Sequence, residues 1–424
     1  MIVCLPFVVS MKTLPSTIPR NQLQVMAQTA FSLEEMLRTS GQEEDCLDIL
    51  ILADVSYPAK VVKEHVDALS DHSRHRVTVL SPRATRRKWG KFRKIPKIRL
   101  QSDKGGNFDV VVIHYSLCIL FESYLPSYLR EALKQFKGLK IQIIQDEYRW
   151  INRMMEEMTH LGIDGLFSSL TIENLEKVYR SPDMENVVKV SALPGYVSKD
   201  WIQQDSPKIR ERRRHLVYRG RELPFWLGHA AREKTTLTNE VSKRLAGREL
   251  VTDLSSKEED RIYGDDWIDF MKSGKAVLGL EGGASIFDFD DSIESAVRAY
   301  QEENPDAGYE EVHRRFLAPH EGNVVHRTIT PRSFEAIAVR TAQVMFPGEY
   351  RGVLEPWRHY LPLERDFSNF DEICGFLRDD DFLQELVDRA YQEIIASGKY
   401  EMSVLGKGMD AMIDYLRLHS QNLN

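Results

Sequence analysis

Two stretches of alternating strand-type and helix-type sequence, separated by a polar arginine-rich segment, constrain this chain more than any other feature. The first opens on LDILILADVS (47–56), a continuous apolar run ended by Asp54, Ser56 and Pro58. A run that is apolar at every position fits a strand covered on both faces, the condition inside a parallel sheet. KVVKEHVDALSDH follows with helical spacing. Strand patterns then recur at 75–83, 108–116, 139–147 and 187–195, with DGLFSS before the last and helical segments near 128–136 and 148–160. Such alternation implies right-handed crossovers and helices on both faces of a parallel sheet. The segment 198–215 is polar, carries Pro207 and reads as a linker. The pattern restarts with HLVYRG (215–220), a helix near 229–246, RELVTDL (248–254), GKAVLGLEGGAS (274–285) and TPRSFEAIAVRTAQVMF (330–346). The expectation is an α/β chain of two doubly wound, Rossmann-like halves facing each other across a cleft. Its divisions are a lead-in at 1–46, a first half at 47–205, a second at 206–400 and a C-terminal helix at 401–424. Residues 288–322, rich in carboxylates, read as a surface insertion.

A chain of 424 residues has room for two or three domains at roughly 150 residues each. The net charge of -7 argues against a nucleic-acid binder acting through its whole surface. One local patch runs the other way: RATRRKWGKFRKIPKIR (83–99) holds nine basic residues with Trp89 and Phe92 among them. It is expected to meet an anionic partner, such as lipid head groups or a lipid-diphosphate acceptor, ahead of nucleic acid. A solvated loop is the plain alternative. The cysteines Cys4, Cys46, Cys118 and Cys374 lie far apart without a CxxC pair, so no metal is expected and a reducing compartment fits. The start, MIVCLPFVVSM, is too short to span the ~30 Å of a bilayer core and lacks a basic leader, and Met11 offers an alternative start. A cytoplasmic protein is expected, with peripheral contact at the inner membrane face through 83–99.

In open parallel sheets, ligands bind beyond the carboxyl ends of the strands. That rule selects four groups of residues. Glu281, Gly282, Gly283 and Ser285 follow the run AVLGL, and glycines there admit a phosphate close to backbone N–H groups. A tight turn would look the same. Thr330-Pro331-Arg332-Ser333-Phe334-Glu335 has the pattern of a helix start, with Thr330 as cap and Pro331 as first residue. Its free N–H groups suit a diphosphate, Arg332 adds a charge, and Glu335 is placed to accept from a ribose diol. Arg219 and Arg221, with Lys234 further on, follow the first strand of the second half and could neutralise a leaving diphosphate. In the first half, Asp54 and Tyr57 follow one strand, His114 sits in VVIHYS, and Asp146 with Glu147 follow IQIIQ. His114, Asp146, Glu147 and Asp54 are the candidates to act near an acceptor hydroxyl. Asp288-Phe-Asp290-Asp291 contains a DxD of the kind that can hold a metal–nucleotide complex, but it opens the acidic segment and reads better as surface.

TITPRSFEAIAVRTAQVMFPGEY (328–350), continued by LEPWRHYLPLERDFSNFDEI (354–373), resembles the C-terminal signature of group 1, family 4-like glycosyltransferases of the GT-B fold. AVLGLEGGASIFDFD (276–290) and YRGRELPFWLG (218–228) are similar to a bacterial subgroup acting on surface polysaccharides. The resemblance implies metal-independent transfer from a nucleotide diphosphate sugar, with no other cofactor, to a glycan or lipid-linked acceptor. It places Glu335 at the second glutamate of an E-x7-E motif. Arg327 stands where the first glutamate would be, and Gln145 stands where the family often has a histidine. Two other readings remain open at this point: a sugar-nucleotide 2-epimerase of the same architecture, and a non-catalytic module binding glycan or nucleic acid through 83–99.

Overall fold

The computed structural model describes residues 29–39, 45–56, 60–82, 100 and 108–421. The apolar start, Tyr57 and the basic run 83–99 lie outside the described residues.

Seven strands build the first sheet: β1 Ala30–Ser32, β2 Asp48–Leu52, β3 Arg76–Leu80, β4 Val110–Ile113, β5 Leu139–Ile144, β6 Gly165–Ser168 and β7 Val188–Ser191. Their order is β1-β7-β6-β5-β4-β2-β3, every neighbouring pair parallel. The apolar runs explain the interior: all four residues of β4 are fully buried, as a strand with helices on both faces requires. The second half repeats the plan with β8 Arg214–Arg219, β9 Thr252–Ser255, β10 Gly274–Gly279, β13 Ala342–Met345 and β14 Leu361–Pro362 in the order β14-β13-β10-β8-β9. Between them β11 Gly282–Ala284 and β12 His326–Thr328 pair antiparallel as a separate ribbon. Two parallel, doubly wound sheets facing a cleft are the GT-B layout expected above.

Three features depart from the pattern read in the sequence. Strand β1 and the helix Leu33–Thr39 come from the supposed lead-in, and β1 adds an edge strand beside β7. The C-terminal helix Ser403–Gln421 packs against the first half, where Met409, Met412 and Ile413 share a core with Ile49, Ile51 and Val188. Asp410 accepts from Ser73 Oγ (2.6 Å) and the Arg74 N–H (2.8 Å) to fix it there. The carboxylate-rich segment is no loose surface insertion. Its helix Ser292–Glu303 buries Ile293 and Val297, spaced i,i+4, in one core with Ile151 and Leu161 of the first half. The Asp288 N–H donates to Tyr148 O (2.8 Å), and Arg149 pairs with Glu294 (2.8 Å). High average polarity concealed a helix with one apolar face.

The linker is also more firmly held than its polarity suggests. Arg212 is buried and donates to Pro207 O, Gly274 O, Val339 O and Thr341 Oγ1 at 2.6–3.1 Å. These acceptors are all neutral, and burial draws the guanidinium down to about 10. Among the described residues, no helix is long and apolar enough to cross a membrane. Arg212→Ala should destabilise the chain by about 3 kcal/mol, because the carbonyls it serves stay buried without a donor. Urea denaturation followed by circular dichroism checks this, and a loss under about 1 kcal/mol would contradict it.

Candidate active site

A cavity of about 820 Å³ opens between the halves, at the carboxyl ends of both sheets. From the second half it is lined by the loop after β8 (218–224), the end of β10, Gly283, and the start of the helix Pro331–Ala338. From the first half come Lys60 and Glu64 on the helix Lys60–Asp71, and Asp146, Tyr148 and Arg149 after β5. Of the residues singled out in the sequence, Arg219, Arg221, Lys234, Gly283, Arg332, Glu335 and Asp146 meet here.

Four of these are cations, and Arg219, Arg332 and Lys234 differ in how far they are already committed. Arg219 is committed: it pairs with Asp253 (2.8 Å), donates to the Asp260, Tyr218 and Asp253 carbonyls, and lies over Phe270. Its guanidinium shapes the loop. Arg332 gives one N–H to the Arg219 carbonyl (2.6 Å) and stacks near Tyr218 and Trp267, which aims the rest of its fork. Lys234 lies on the helix His229–Leu245, where its carbonyl accepts from Thr238 Oγ1 (3.0 Å), while its ammonium makes no hydrogen bond or ion pair with any described residue. Burial, then the nearby Arg332 and Arg221 charges, pull its ammonium down to about 8, with Asp146 acting the other way.

Glu335 stands one turn into its helix, as the spacing predicts. Trp267 Nε1 donates to its Oε2 (2.9 Å), and burial holds its carboxyl above the usual range. Gly283 is required where it is: φ is +134°, and a Cβ would fall 1.9 Å from the His326 carbonyl oxygen across the ribbon. Any side chain would part β11 from β12.

The remaining predicted residues lie off this cavity, most of them engaged in bonds of their own. Glu281 accepts from the Tyr350 N–H (2.8 Å), and Gly282 pairs with Thr328. Ser285 Oγ receives the Ala230 N–H (3.0 Å) in the first turn of the helix His229–Leu245, and Ser333 is buried within its own helix. His114 is fully buried between His65 Nδ1 (3.0 Å) and Ser116 Oγ (2.9 Å), and burial holds it well below the ordinary histidine value. Asp54 is buried, accepting from the Ser56 N–H (3.1 Å) in the turn after β2. Glu147 accepts from Ser168 Oγ (2.7 Å) and Tyr179 Oη, and burial lifts it to about 8. It borders a second cavity of about 220 Å³ that also touches Asp146 and Arg149. The DxD aspartates begin a helix: Asp290 accepts from Ser292 and Asp288 from the Glu294 N–H (2.8 Å). Cys118 borders the smaller cavity with its thiol pushed up by burial, which suits packing over nucleophilic attack.

Sequence reading missed Glu64 and Trp267. Glu64 accepts from Ser198 Oγ (2.9 Å) and is raised by burial. Its signal was present, since it lies in the helix that follows β2, where the strand-end rule applies. Trp267, in a helix between β9 and β10, left no such signal.

No protein-family model matches this sequence, and no curated protein matches it. Solved structures align with it over most of its length. Anabaena HepE in complex with UDP-glucose aligns over 87% of this chain and all of its own, with a TM-score of 0.49 at 9% identity. An alpha-glucosyltransferase in complex with UDP and a 13-mer DNA containing an HMU base aligns over 85% of this chain and all of its own, at TM-score 0.45 and 10% identity. TarM aligns over 71% of this chain at TM-score 0.43 and 12% identity, and this chain spans 54% of TarM. Identity this low leaves each site residue to be read from the chain's own geometry.

A diphosphate held beside Lys234 would bind with an affinity that depends on pH. Below about 8 the ammonium is charged, and above it the charge is lost. UDP, whose terminal phosphate is mostly ionised at pH 7 and fully so at pH 9, should bind about 10-fold more weakly at pH 9 than at pH 7. In Lys234→Arg the slope should vanish, and isothermal titration across that range checks both. An equal slope in both proteins would remove Lys234 from the phosphate site.

Proposed function

We propose that this chain is a glycosyltransferase that moves a sugar from a nucleotide diphosphate sugar to a hydroxyl on a glycan or lipid-linked acceptor. The observation that carries the reading is the convergence of Lys234, Arg332, Arg221 and the oriented Glu335 on one wall of the cleft, opposite Asp146 and Glu64. In this reading 206–400 is the donor half and 47–205 the acceptor half. The diphosphate lies against the start of the helix Pro331–Ala338, where the positive end of the helix, Arg332 and Lys234 balance the charge that grows as the sugar–phosphate bond breaks. Glu335, fixed by Trp267, takes the ribose hydroxyls through Oε1. In this reading side-chain cations, rather than a DxD-held metal, serve the diphosphate, because Asp288 and Asp290 do not line the cleft cavity where the cations meet. The acceptor hydroxyl approaches from the first half beside Asp146. Closure of the halves over the donor would limit its hydrolysis.

A donor bound only by the folded chain must raise its melting temperature. Screening UDP-, GDP-, TDP- and CDP-sugars by thermal shift is expected to single out one base, and silence from all of them would overturn the donor-site assignment. With the responding donor, Glu335→Ala should lower transfer about 100-fold through lost hydrogen bonds to a charged group, with the far-ultraviolet spectrum unchanged. Full activity in that variant would remove Glu335 from the site. Product that forms only when an acceptor is added separates transfer from epimerisation.

A further inference from the structure

Away from the cleft, three side chains from three places in the chain converge as metal ligands do. His229 opens the helix His229–Leu245, His313 lies in the helical stretch Tyr309–Leu317, and Glu321 follows in the next turn. One ligand atom from each can be chosen so that all lie within 4.8 Å of one another. His313 Nε2 and Glu321 Oε2 are 3.3 Å apart. That matches the roughly 3.3–3.4 Å between two ligand atoms on a tetrahedral zinc with bonds near 2.05 Å. His313 Nε2 is buried yet makes no hydrogen bond, so its lone pair or proton goes unused.

The surroundings favour ligation. His229 Nδ1 lies 3.0 Å from Tyr309 Oη. With Nδ1–H donating to that oxygen, His229 presents the lone pair of Nε2, the usual way an outer partner sets a ligating imidazole. The two imidazoles stack with centroids 4.2 Å apart and planes tilted by 28°, so both rings must turn about their side-chain bonds before their in-plane lone pairs converge on one ion. Gly228, at φ +81°, leaves room for the third ligand, since a Cβ there would stand 2.9 Å from Glu321 Oε2. Glu321 also receives the His229 backbone N–H (3.3 Å), and its negative charge offsets the positive end of the helix. His229 is exposed, which gives an ion a path in.

We propose that His229, His313 and Glu321 bind one Zn²⁺ ion, with a fourth position open to water. Two imidazoles and a carboxylate are a borderline-soft set that zinc accepts. The ion would pin the start of the helix that carries Lys234 to the 286–324 segment, and through that segment to the first half. The site is independent of the glycosyltransferase reading.

The test uses the tag-free full chain, stripped with chelator and dialysed against ZnCl₂. One equivalent of zinc per chain is expected, with a melting temperature that falls again on adding chelator. His313→Gln should weaken binding by about 10-fold or more, while His320→Gln, a neighbour outside the cluster, should bind as the native chain does. Should His313→Gln fail to fold, Co²⁺ in the native chain decides. Intense visible bands of a four-coordinate site, displaced by Zn²⁺, support the assignment. Bands as weak as those of the aqueous ion overturn it. So does zinc below a tenth of an equivalent, or undiminished binding by a folded His229→Gln/His313→Gln double variant.

Discussion

Burial of the parallel strands on both faces is the constraint on which the rest of the molecule depends. A strand such as β4, with none of its residues exposed, needs a helix above and below it. Each parallel neighbour must then be reached by a crossover, and crossovers return every strand in the same direction. All carboxyl ends of a sheet therefore gather at one edge. With two such sheets placed edge to edge, the loops after β5, β8 and β10 meet around one cavity. The backbone thus sets where a ligand is received, and the loop residues set what it is.

Those loop residues sit in a medium that weakens their own charges. Lys234 is drawn down and Glu335 and Glu64 are pushed up, with burial the largest cause in each case. The cost of taking these groups out of water falls on folding and is already met before a ligand arrives. A diphosphate next to Lys234 would restore full charge to the ammonium, so that the cation is strongest when its counter-ion is present. Arg219 shows the other use of a cation in the same place. Its pairing with Asp253 and the surrounding carbonyls removes it from ligand chemistry and gives the loop after β8 its shape.

Much of this was legible from residue order. Long apolar runs marked β2, β4, β5 and β10, and the strand-end rule led to Arg221, Lys234, Arg332, Glu335 and Asp146. Strands β1 and β14, of three and two residues, are too short for any period to show. They exist because a sheet edge already present offers them hydrogen bonds. The helix Ser292–Glu303 was hidden by averaging, since its carboxylates occupy one face and its core residues the other. What residue order could not supply was pairing. Nothing local tells that Glu281 serves the Tyr350 N–H, that Ser285 serves the Ala230 N–H, or that His114 is enclosed by His65. Each partner arrives from a distant segment, and the imidazoles at 229 and 313 are likewise adjacent only in space.

The return of the helix Ser403–Gln421 to the first half bears on how the chain is made. Its bonds from Asp410 and Asp414 to Arg74 close loops of 336 and 340 residues. During synthesis the first sheet emerges early, yet the apolar face formed by Ile49, Ile51 and Val188 is covered only in part, by Val66 and Leu69 among others, until residues 403–421 have left the ribosome. For all that time the nascent chain carries a sticky surface of the kind that chaperones hold and that aggregates when they are scarce. Loss of residues 403–421 would leave that surface partly open, so removal of this helix should behave as a folding lesion in the first half.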